Sequence, residues 1–469
     1  MTPLGVVIRF IVAYFTLGNL AGMQTDESLR GVSVLIAGAG LAGLVAAREL
    51  YHRGAELLIV EARERLGGRV WTWRDTFAEG QHVEAGADMI EESQTEILRL
   101  AEELGLRPVR ILKSGFSGFQ SNVISSRQGA ARGWEALENA LEEQIRAYRL
   151  AERRWDSGVA EALAGMSVAS WLDRIKANAE MRSTAIGLRG FFLADPTELS
   201  LLALVDQFAE DETPGQGRMY RIEGGNDALV AALAVPFANR IRRKTVVVSI
   251  GHSAAGIDAA VRTPDGTIEH LRAGYMICTL PTTALKAVRI DPPLPMAQMA
   301  AVDQLRYGPA TRTALQFERT PWRALGKPRA YGTDLPIGAV WDGNEEQKGE
   351  AGILSLLAGG SASAATRELL ARGGIAEVVK QLAWLPIGQT KLLTHRVFSW
   401  EDDPWSAGGY AYFSPTYQPS WRAWLARPVQ RLLFAGEHTS LRWQGYMNGA
   451  VESGLRAAAE VRAHHSRLN

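Results

Sequence analysis

The chain has 469 residues, of which 46% are hydrophobic and 22% charged, and its 51 lysines and arginines balance 51 aspartates and glutamates. This length suits two domains, and the balanced charge argues against a nucleic-acid partner. Cys278 is the single cysteine and the eight histidines show no HExxH pattern, which excludes an intrachain disulfide and argues against a metal centre.

The first 22 residues form a mostly apolar stretch that carries Arg9 and lacks a basic cluster at its start. It reads as a signal-like segment, as a weak membrane anchor, or as an upstream extension with Met23 as the working initiator. The polar residues after Met23 lead directly into the first strand, which favours the extension. We therefore treat residues 1–29 as an N-terminal extension and expect the protein to be cytoplasmic, with export and membrane association left open.

The first predicted elements form a strand–helix–strand unit. Residues 32–37 are a short apolar run that ends in glycines, residues 41–51 have a helical pattern, and residues 57–61 form a second buried strand. Such a unit opens a doubly wound parallel sheet, so the sequence predicts an α/β fold that starts with a Rossmann-type half.

A Gly-x-Gly-x-x-Gly motif, with Leu41 and Ala42 between its last two glycines, joins the first strand to the helix. Gly38 permits the tight turn, Gly40 lets the backbone approach a pyrophosphate, and Gly43 lets the helix pack closely on the strand. The free N–H groups of the helix start then face the phosphates. Alone, the motif is weak evidence for a nucleotide site.

The stretch after the second strand strengthens the nucleotide prediction. Glu61 ends that strand, where a carboxylate accepts hydrogen bonds from a ribose diol. The Gly-Gly-Arg turn that follows brings backbone and a guanidinium to the same pyrophosphate, an element that NAD enzymes do not need. The residues predicted to bind a dinucleotide here are Glu61, Ala62, Arg63, Gly67, Gly68 and Arg69.

Later segments alternate between helical and strand patterns. Helices are predicted at residues 95–104, through much of 134–171, at 227–234 and from about 445 to the end. Strands are predicted at residues 246–250, 258–263, 268–271, 275–280 and 431–435, with a Pro-Asp-Gly turn at 264–266 closing a hairpin.

Several motifs resemble those of the flavin-containing amine oxidases, over nearly the whole chain from Val32 onward. They are EAGAD at 84–88, WSAGGY at 405–410 after Trp400, LFAGEHT at 433–439 and GYMNGAVESG at 445–454. The resemblance implies FAD as the cofactor, with Val247 beside the adenine and Glu437 near the diphosphate or ribityl chain. The further flavin-binding residues that it implies are Gly86, Ala87, Asp88, Met89, Trp400, Gly436, Gly445, Tyr446, Met447 and Ala450.

The resemblance also implies the fold: a discontinuous Rossmann-type FAD-binding domain with an inserted α+β substrate domain. We expect residues 30–90, 222–290 and 396–469 to form the FAD-binding domain. Residues 91–221 and 291–395 would form the substrate-binding domain. Family members are often dimers, so a homodimer is one expectation.

In the family, two aromatic rings flank the substrate in front of the flavin, and Tyr446 matches one of them. The position of the second ring is Ala411 in the simplest alignment, so either Tyr410 or Tyr412 substitutes for it, or the cage is open on one side. Tyr410 takes the position at which mitochondrial members link the flavin through a cysteine. We therefore predict non-covalent FAD.

Arg312 departs from the family, whose lysine at this position holds a water at flavin N5. Lysine can lose its proton, whereas arginine keeps its charge and is bulkier. Arg312 therefore simply preserves positive charge near the flavin, or slows the reaction with oxygen, or contacts a substrate carboxylate. Both O2 and another electron acceptor remain open.

The predicted reaction is oxidation of a primary or secondary amine to an imine by hydride transfer to flavin N5, with O2 reduced to H2O2. L-amino-acid oxidases usually carry an arginine after the flavin-covering loop, whereas Glu91 and Glu92 stand here. They are interpreted as a solvated helix start, and the alternative is that one of them attracts a cationic amine at the channel mouth. Phe191, Phe192 and Phe208 could line the pocket, and core packing is the favoured assignment for each. The alternatives are a dehydrogenase or desaturase with another acceptor, an L-amino-acid oxidase, and a flavin-binding protein without turnover.

Overall fold

The computed structural model describes residues 27–113, 118–120, 127–210, 217–324 and 327–468. Most of the N-terminal extension, with the apolar stretch and Met23, lies outside these residues. Within the described ranges, none of the helices combines the length and the apolar character needed to cross a bilayer.

A five-stranded parallel sheet draws its strands from distant parts of the chain. In spatial order these are Leu432–Phe434, Tyr275–Cys278, Ser33–Ala37, Glu56–Val60 and Ile241–Arg242. All four pairings are parallel, which confirms the predicted α/β fold with a Rossmann-type sheet.

Both faces of this sheet are covered. Along the first strand, Leu35 and Ala37 belong to one apolar cluster, while Val34 and Ile36 belong to another on the opposite face. Alternate residues of a strand point to opposite faces, so the near-continuous apolar run in the sequence reflects a strand buried on two sides.

The helix after the first strand, Leu41–Tyr51, packs against the terminal helix, Met447–Leu468. Their approach is so close that a Cβ on Gly454 would lie 2.5 Å from the carbonyl oxygen of Ala42. Only glycine fits there without a shift of the backbone, which explains the last glycine of the terminal motif.

A four-stranded sheet carries the predicted hairpin. Its strands, in spatial order, are Ile268–Ala273, Ile257–Arg262, Val246–His252 and Arg289–Asp291. The hairpin is confirmed, and its second strand continues through Arg272 and Ala273, beyond the predicted end at residue 271.

A six-stranded mixed sheet forms the second large layer. In spatial order its strands are Leu392–Ser399, Ala310–Phe317, Gly352–Gly359, Ala339–Asp342, Ala330–Thr333 and Gly118–Gln120. Ala310–Phe317 is buried at every residue and holds Arg312 inside the protein. The strand at 392–399 crosses the predicted boundary between residues 395 and 396; the domain boundaries stay a prediction.

The predicted helical tract at 134–171 is divided among three helices. The helices of this region are Arg127–Leu150, Gly158–Ala164, Val168–Arg174, Ala179–Gly187, Arg189–Phe192 and Leu201–Glu210. Elsewhere helices span Thr95–Glu103, Asp227–Ala234, Thr282–Leu285, Met296–Gln304, Ser361–Gly373 and Ile375–Lys380.

Small sheets and single helical turns complete the described fold. The sheets pair Ile90–Glu91 and Pro108–Ile111 with Met219–Ile222, Thr72–Trp73 with Val83–Glu84, and Arg306–Tyr307 with Ala411–Tyr412. The 3-10 helices are Ala78–Gly80, Val235–Phe237, Pro321–Arg323, Pro386–Gln389, Trp400–Asp402, Pro419–Ala426 and Glu437–Thr439.

Candidate active site

A cavity of about 1410 Å³ lies at the carboxyl ends of the parallel strands. Gly38, Glu61 and Thr279 line it directly after three of these strands, and Gly436 lines it just after a fourth. Open parallel sheets bind ligands at this edge. Pockets for one drug-sized ligand measure about 300–1,000 Å³, so this cavity has room for a dinucleotide and a second molecule.

The cavity brings together nearly all of the residues that the sequence analysis singled out. Every residue named there as catalytic or cofactor-binding lines it except Gly43. A Cβ on Gly43 would lie 2.1 Å from the carbonyl oxygen of Gly38, so this glycine permits the helix to pack on the turn. Gly43 therefore supports the fold and does not form part of the cavity wall.

The two glycine turns lie side by side. Gly40 pairs with Gly67 in an isolated bridge, and the N–H of Gly67 donates to the Ala39 carbonyl at 2.9 Å. A Cβ on Gly40 would meet no atom nearer than the Gly67 carbonyl oxygen at 3.9 Å, so it would project into the open cavity. The missing side chains leave a backbone cradle, which fits the pyrophosphate of a dinucleotide.

Glu61 ties these turns together. Its buried carboxylate accepts hydrogen bonds from the N–H groups of Ala39 and Arg63, both at 2.9 Å. The Arg63 guanidinium is bound at 2.5 Å to Asp403, from the segment after Trp400. These contacts fix the second turn against a segment far away in the chain.

Glu437 connects the Gly-Gly-Arg turn to the start of the terminal helix. One oxygen of its carboxylate accepts from Arg69 at 2.7 Å, and the other accepts from the N–H of Gly445 at 2.7 Å. Burial raises the pKa of Glu437, but the positive charge of Arg69 and these hydrogen bonds outweigh it, so the pKa is lowered. An ionised Glu437 therefore positions both turns that border the cavity.

A buried ion network lies behind the segment at 84–88. Asp88 pairs with Arg221 and with Arg312, the latter at 3.3 Å, and accepts from Trp341 Nε1 at 2.8 Å. Arg221 also pairs with Glu346 at 3.0 Å. Because the Asp88 carboxylate is bound to these groups, it positions the loop at 84–88.

Arg312 is 2% exposed and lines the cavity from within this network. Its Nη atoms donate to the Gly86 carbonyl at 2.7 Å and to Ser355 Oγ at 3.1 Å, and its guanidinium stacks over Trp341 at 4.5 Å. Its Nε is buried without a hydrogen-bond partner among the described residues. Burial lowers the pKa of Arg312, with Asp88 opposing this effect.

Aromatic side chains form the far end of the cavity. Tyr446 meets Phe191 edge to face at 6.4 Å, and its hydroxyl donates to Gln207 Oε1 at 3.4 Å. Tyr410 donates its hydroxyl to the Phe191 carbonyl, and its ring lies 3.4 Å from the Cβ position of Gly445. Tyr410, Tyr446 and Phe191 thus form one connected group.

Two predictions about this end of the cavity are wrong. Phe191 is partly exposed and lines the cavity, whereas core packing is the favoured expectation for it. Phe192 and Phe208 pack in the apolar core as expected, and both also line the cavity. Glu91 and Glu92 do not start a helix: Glu91 ends the strand Ile90–Glu91, and Glu92 pairs with Arg218 on the neighbouring strand side. Local sequence did not reveal this pairing because Arg218 is more than a hundred residues away.

Other cavity residues carried no signal in the sequence. Gln207 and Trp341 line the cavity, and Arg221 belongs to the ion network around Asp88. All three lie in ordinary helix or strand patterns, and their partners come from elsewhere in the chain. Arg221 is a charged residue within the strand Met219–Ile222, which is uninformative without its partners.

Known proteins resemble this chain along most of its length. A family model described as flavin containing amine oxidoreductase matches residues 41–462. AofH of Mycobacterium tuberculosis, an inferred flavin-containing monoamine oxidase, is 28% identical over 92% of this chain and 97% of its own. The flavin-containing amine oxidase B of Cavia porcellus is 26% identical over 91% of this chain and 85% of its own.

Solved structures share the fold. Cyclohexylamine oxidase from Brevibacterium oxydans superposes with a TM-score of 0.79 at 24% identity, covering 93% of this chain and 100% of that one. A putrescine oxidase with redesigned cofactor binding superposes with a TM-score of 0.81 at 23% identity, covering 92% of this chain and 99% of that one.

Proposed function

This chain belongs to the flavin containing amine oxidoreductases, and we propose that it oxidises a small primary or secondary amine to an imine. It is an FAD-dependent enzyme, as its family and relatives are. The observation that carries the proposal is that the glycine cradle and the group of Tyr410, Tyr446 and Phe191 line one cavity. A dinucleotide in the cradle would extend toward these aromatic residues.

The bound FAD supplies the hydride acceptor, N5 of its flavin ring. The apolar walls around Tyr446 and Phe191 disfavour the charged ammonium by desolvation, which lowers the pKa of the substrate and leaves the nitrogen lone pair free. The carbon next to nitrogen loses its hydride and the nitrogen a proton, and water then hydrolyses the released imine to an aldehyde or ketone. We infer that O2 takes up the two electrons to give H2O2.

Anaerobic mixing of the purified holoenzyme with a panel of amines tests this function. Benzylamine, n-pentylamine and cyclohexylamine are suitable simple amines. L-leucine serves as the α-amino acid for comparison, because the loop offers no arginine after Met89 to bind its carboxylate and Glu92 is paired with Arg218. We expect the visible absorbance of oxidised flavin to disappear with at least one simple amine. Persistence of the oxidised spectrum with every amine would contradict the proposal.

We further infer that FAD is held without a covalent bond. Tyr410 stands at the position of the linking cysteine and its hydroxyl is bound to the Phe191 carbonyl. Denaturation of the holoenzyme is expected to release all of its flavin into the supernatant. A flavin retained on the denatured chain, seen as added mass, would refute this.

A second candidate function is a dehydrogenase that passes electrons to an acceptor other than O2. It is favoured by Arg312, whose Nη atoms are bound to Gly86 and Ser355 and whose guanidinium keeps its charge near neutral pH. Exposure of the reduced enzyme to air separates the two functions, because an oxidase regains its oxidised flavin rapidly. A homodimer and a cytoplasmic location stay predictions.

A further inference from the structure

A second polar region lines the cavity and has no part in the reaction proposed above. It consists of Trp155, Asp206, Phe413 and Arg422, and is called here the Arg422 subsite. Arg422 comes from the 3-10 helix Pro419–Ala426 and is 3% exposed. A charged side chain buried on a cavity wall needs either full pairing within the protein or a ligand of opposite charge.

The contacts of Arg422 satisfy only part of its guanidinium. It lies over the rings of Trp155 at 4.0 Å and Phe413 at 4.9 Å, and Nη2 donates to the Leu441 carbonyl at 2.6 Å. Its Nη1 lies 3.9 Å from Asp206, beyond hydrogen-bonding distance.

Two donors of the subsite are unused. Arg422 Nε and Trp155 Nε1 are both buried and have no hydrogen-bond partner among the residues that the structure describes. Asp206 is shared, since Arg153 binds it more closely, at 3.1 Å. Burial lowers the pKa of Arg422, with Asp206 opposing this effect. Buried donors are normally paired, which indicates that an acceptor arrives with a ligand.

The subsite adjoins the aromatic end of the cavity. Asp206 and Gln207 are consecutive on the helix Leu201–Glu210, and Gln207 accepts from the Tyr446 hydroxyl. Ala411, where the family has its second ring, also lines the cavity and leaves space on this side. A substrate with its nitrogen beside Tyr446 would therefore direct its other end toward Arg422.

We propose that Arg422 and Trp155 bind the carboxylate of an ω-amino acid, a substrate whose amine and carboxylate are separated by a carbon chain. This assignment rests on the amine oxidation proposed above. One guanidinium N–H and one indole N–H match the two oxygens of a carboxylate. A phosphate would bring more negative charge close to Asp206 and suits the subsite less well.

The test compares δ-aminovalerate with n-pentylamine, which has the same number of carbons and no carboxylate. The apparent dissociation constant is measured by anaerobic flavin reduction of the holoenzyme. Since a hydrogen bond to a charged group is strong, we expect δ-aminovalerate to bind at least about tenfold more tightly. Valerate, which cannot reduce flavin, is expected to bind in calorimetry and to compete.

Four variants locate the effect. Arg422→Met is expected to abolish the preference for δ-aminovalerate. Trp155→Phe keeps the aromatic stacking and is expected to reduce the preference about threefold to tenfold. Asp206→Asn is expected to increase the preference. Arg427→Met is the matched control, because Arg427 stacks on Trp424 at 4.3 Å in the same segment and does not line the cavity. It should retain the wild-type preference.

The outcomes separate this inference from the proposed function. If n-pentylamine reduces the flavin but δ-aminovalerate has no advantage, or if Arg422→Met keeps the advantage, the carboxylate subsite is refuted while amine oxidation stands. If no amine reduces the flavin, the proposed function fails. The subsite is then tested by calorimetry alone: weaker valerate binding to Trp155→Phe than to the wild type supports it, and equal binding refutes it. Should Arg422→Met not fold with FAD, Trp155→Phe and Asp206→Asn decide.

Discussion

Glu84 is expected to make the protein less stable as the pH rises, and Glu84→Gln is expected to remove that dependence. The side chain is 1% exposed, and its two oxygens accept hydrogen bonds from the Asn226 N–H and the Thr72 hydroxyl, both at 2.8 Å. Burial, reinforced by Asp88, raises the pKa of Glu84 from 4.5 to about 8. Near neutral pH the folded protein therefore keeps this carboxyl protonated, whereas the unfolded chain ionises it.

The shift sets both the sign and the size of the effect. Below the unfolded-state pKa both states hold the proton, and Glu84 adds no pH dependence. Between pH 4.5 and about 8 unfolding releases the proton, so the free energy of unfolding falls by about 1.4 kcal/mol per pH unit, or about 5 kcal/mol in all. Glutamine resembles the neutral acid: its oxygen can accept from Asn226 and its amide can donate to the Thr72 hydroxyl.

Urea unfolding of the wild-type and Glu84→Gln holoenzymes, followed by tryptophan fluorescence across this pH range, measures the difference directly. Subtracting one variant from the other cancels the titrating groups that do not interact with Glu84. We expect Glu84→Gln to gain on the wild type as the pH rises, while Glu102→Gln, a change at an exposed residue, stays parallel to the wild type. A difference between wild type and Glu84→Gln that does not change with pH would refute the reasoning.

Three further predictions concern the cavity. Glu437→Gln removes the charge that holds Arg69, so FAD should dissociate about tenfold more readily, measured as flavin fluorescence after dilution; unchanged retention would contradict this. Tyr446→Ala should slow anaerobic flavin reduction by about tenfold or more, whereas Tyr446→Phe keeps the ring and most of the rate. Equal rates of flavin reduction in the two variants would show that the ring is dispensable. Arg312→Lys should speed reoxidation by air at least about tenfold if arginine slows the oxygen reaction, and an unchanged stopped-flow rate would remove that role.

Arg221 shows why part of the site could not be predicted from the sequence. Arg221 and Arg312 meet at Asp88, although 133 and 224 residues separate them from it in the chain. The sequence identified Arg312 because it departs from a motif, but its expected place beside the flavin said nothing about Asp88, Ser355 or Trp341.

The sequence by itself determined the parts of this protein that depend on local geometry. The turns at Gly38, Gly67 and Gly436 need positive φ angles that favour glycine, and the strand–helix–strand unit follows from apolar periodicity over a few residues. These features were enough to predict the parallel sheet and a dinucleotide site, whereas the family and FAD followed from the resemblance of the motifs at 84–88, 405–410, 433–439 and 445–454.

Only the tertiary structure decided what each polar side chain binds. The Arg69–Glu437 pair spans 368 residues, Glu92 meets Arg218 across a sheet and not at a helix start, and Phe191 faces the cavity and not the core. The physical reason is that burial and pairing are properties of the assembled chain: the same arginine or phenylalanine reads alike in sequence whether it faces water, a partner or a ligand.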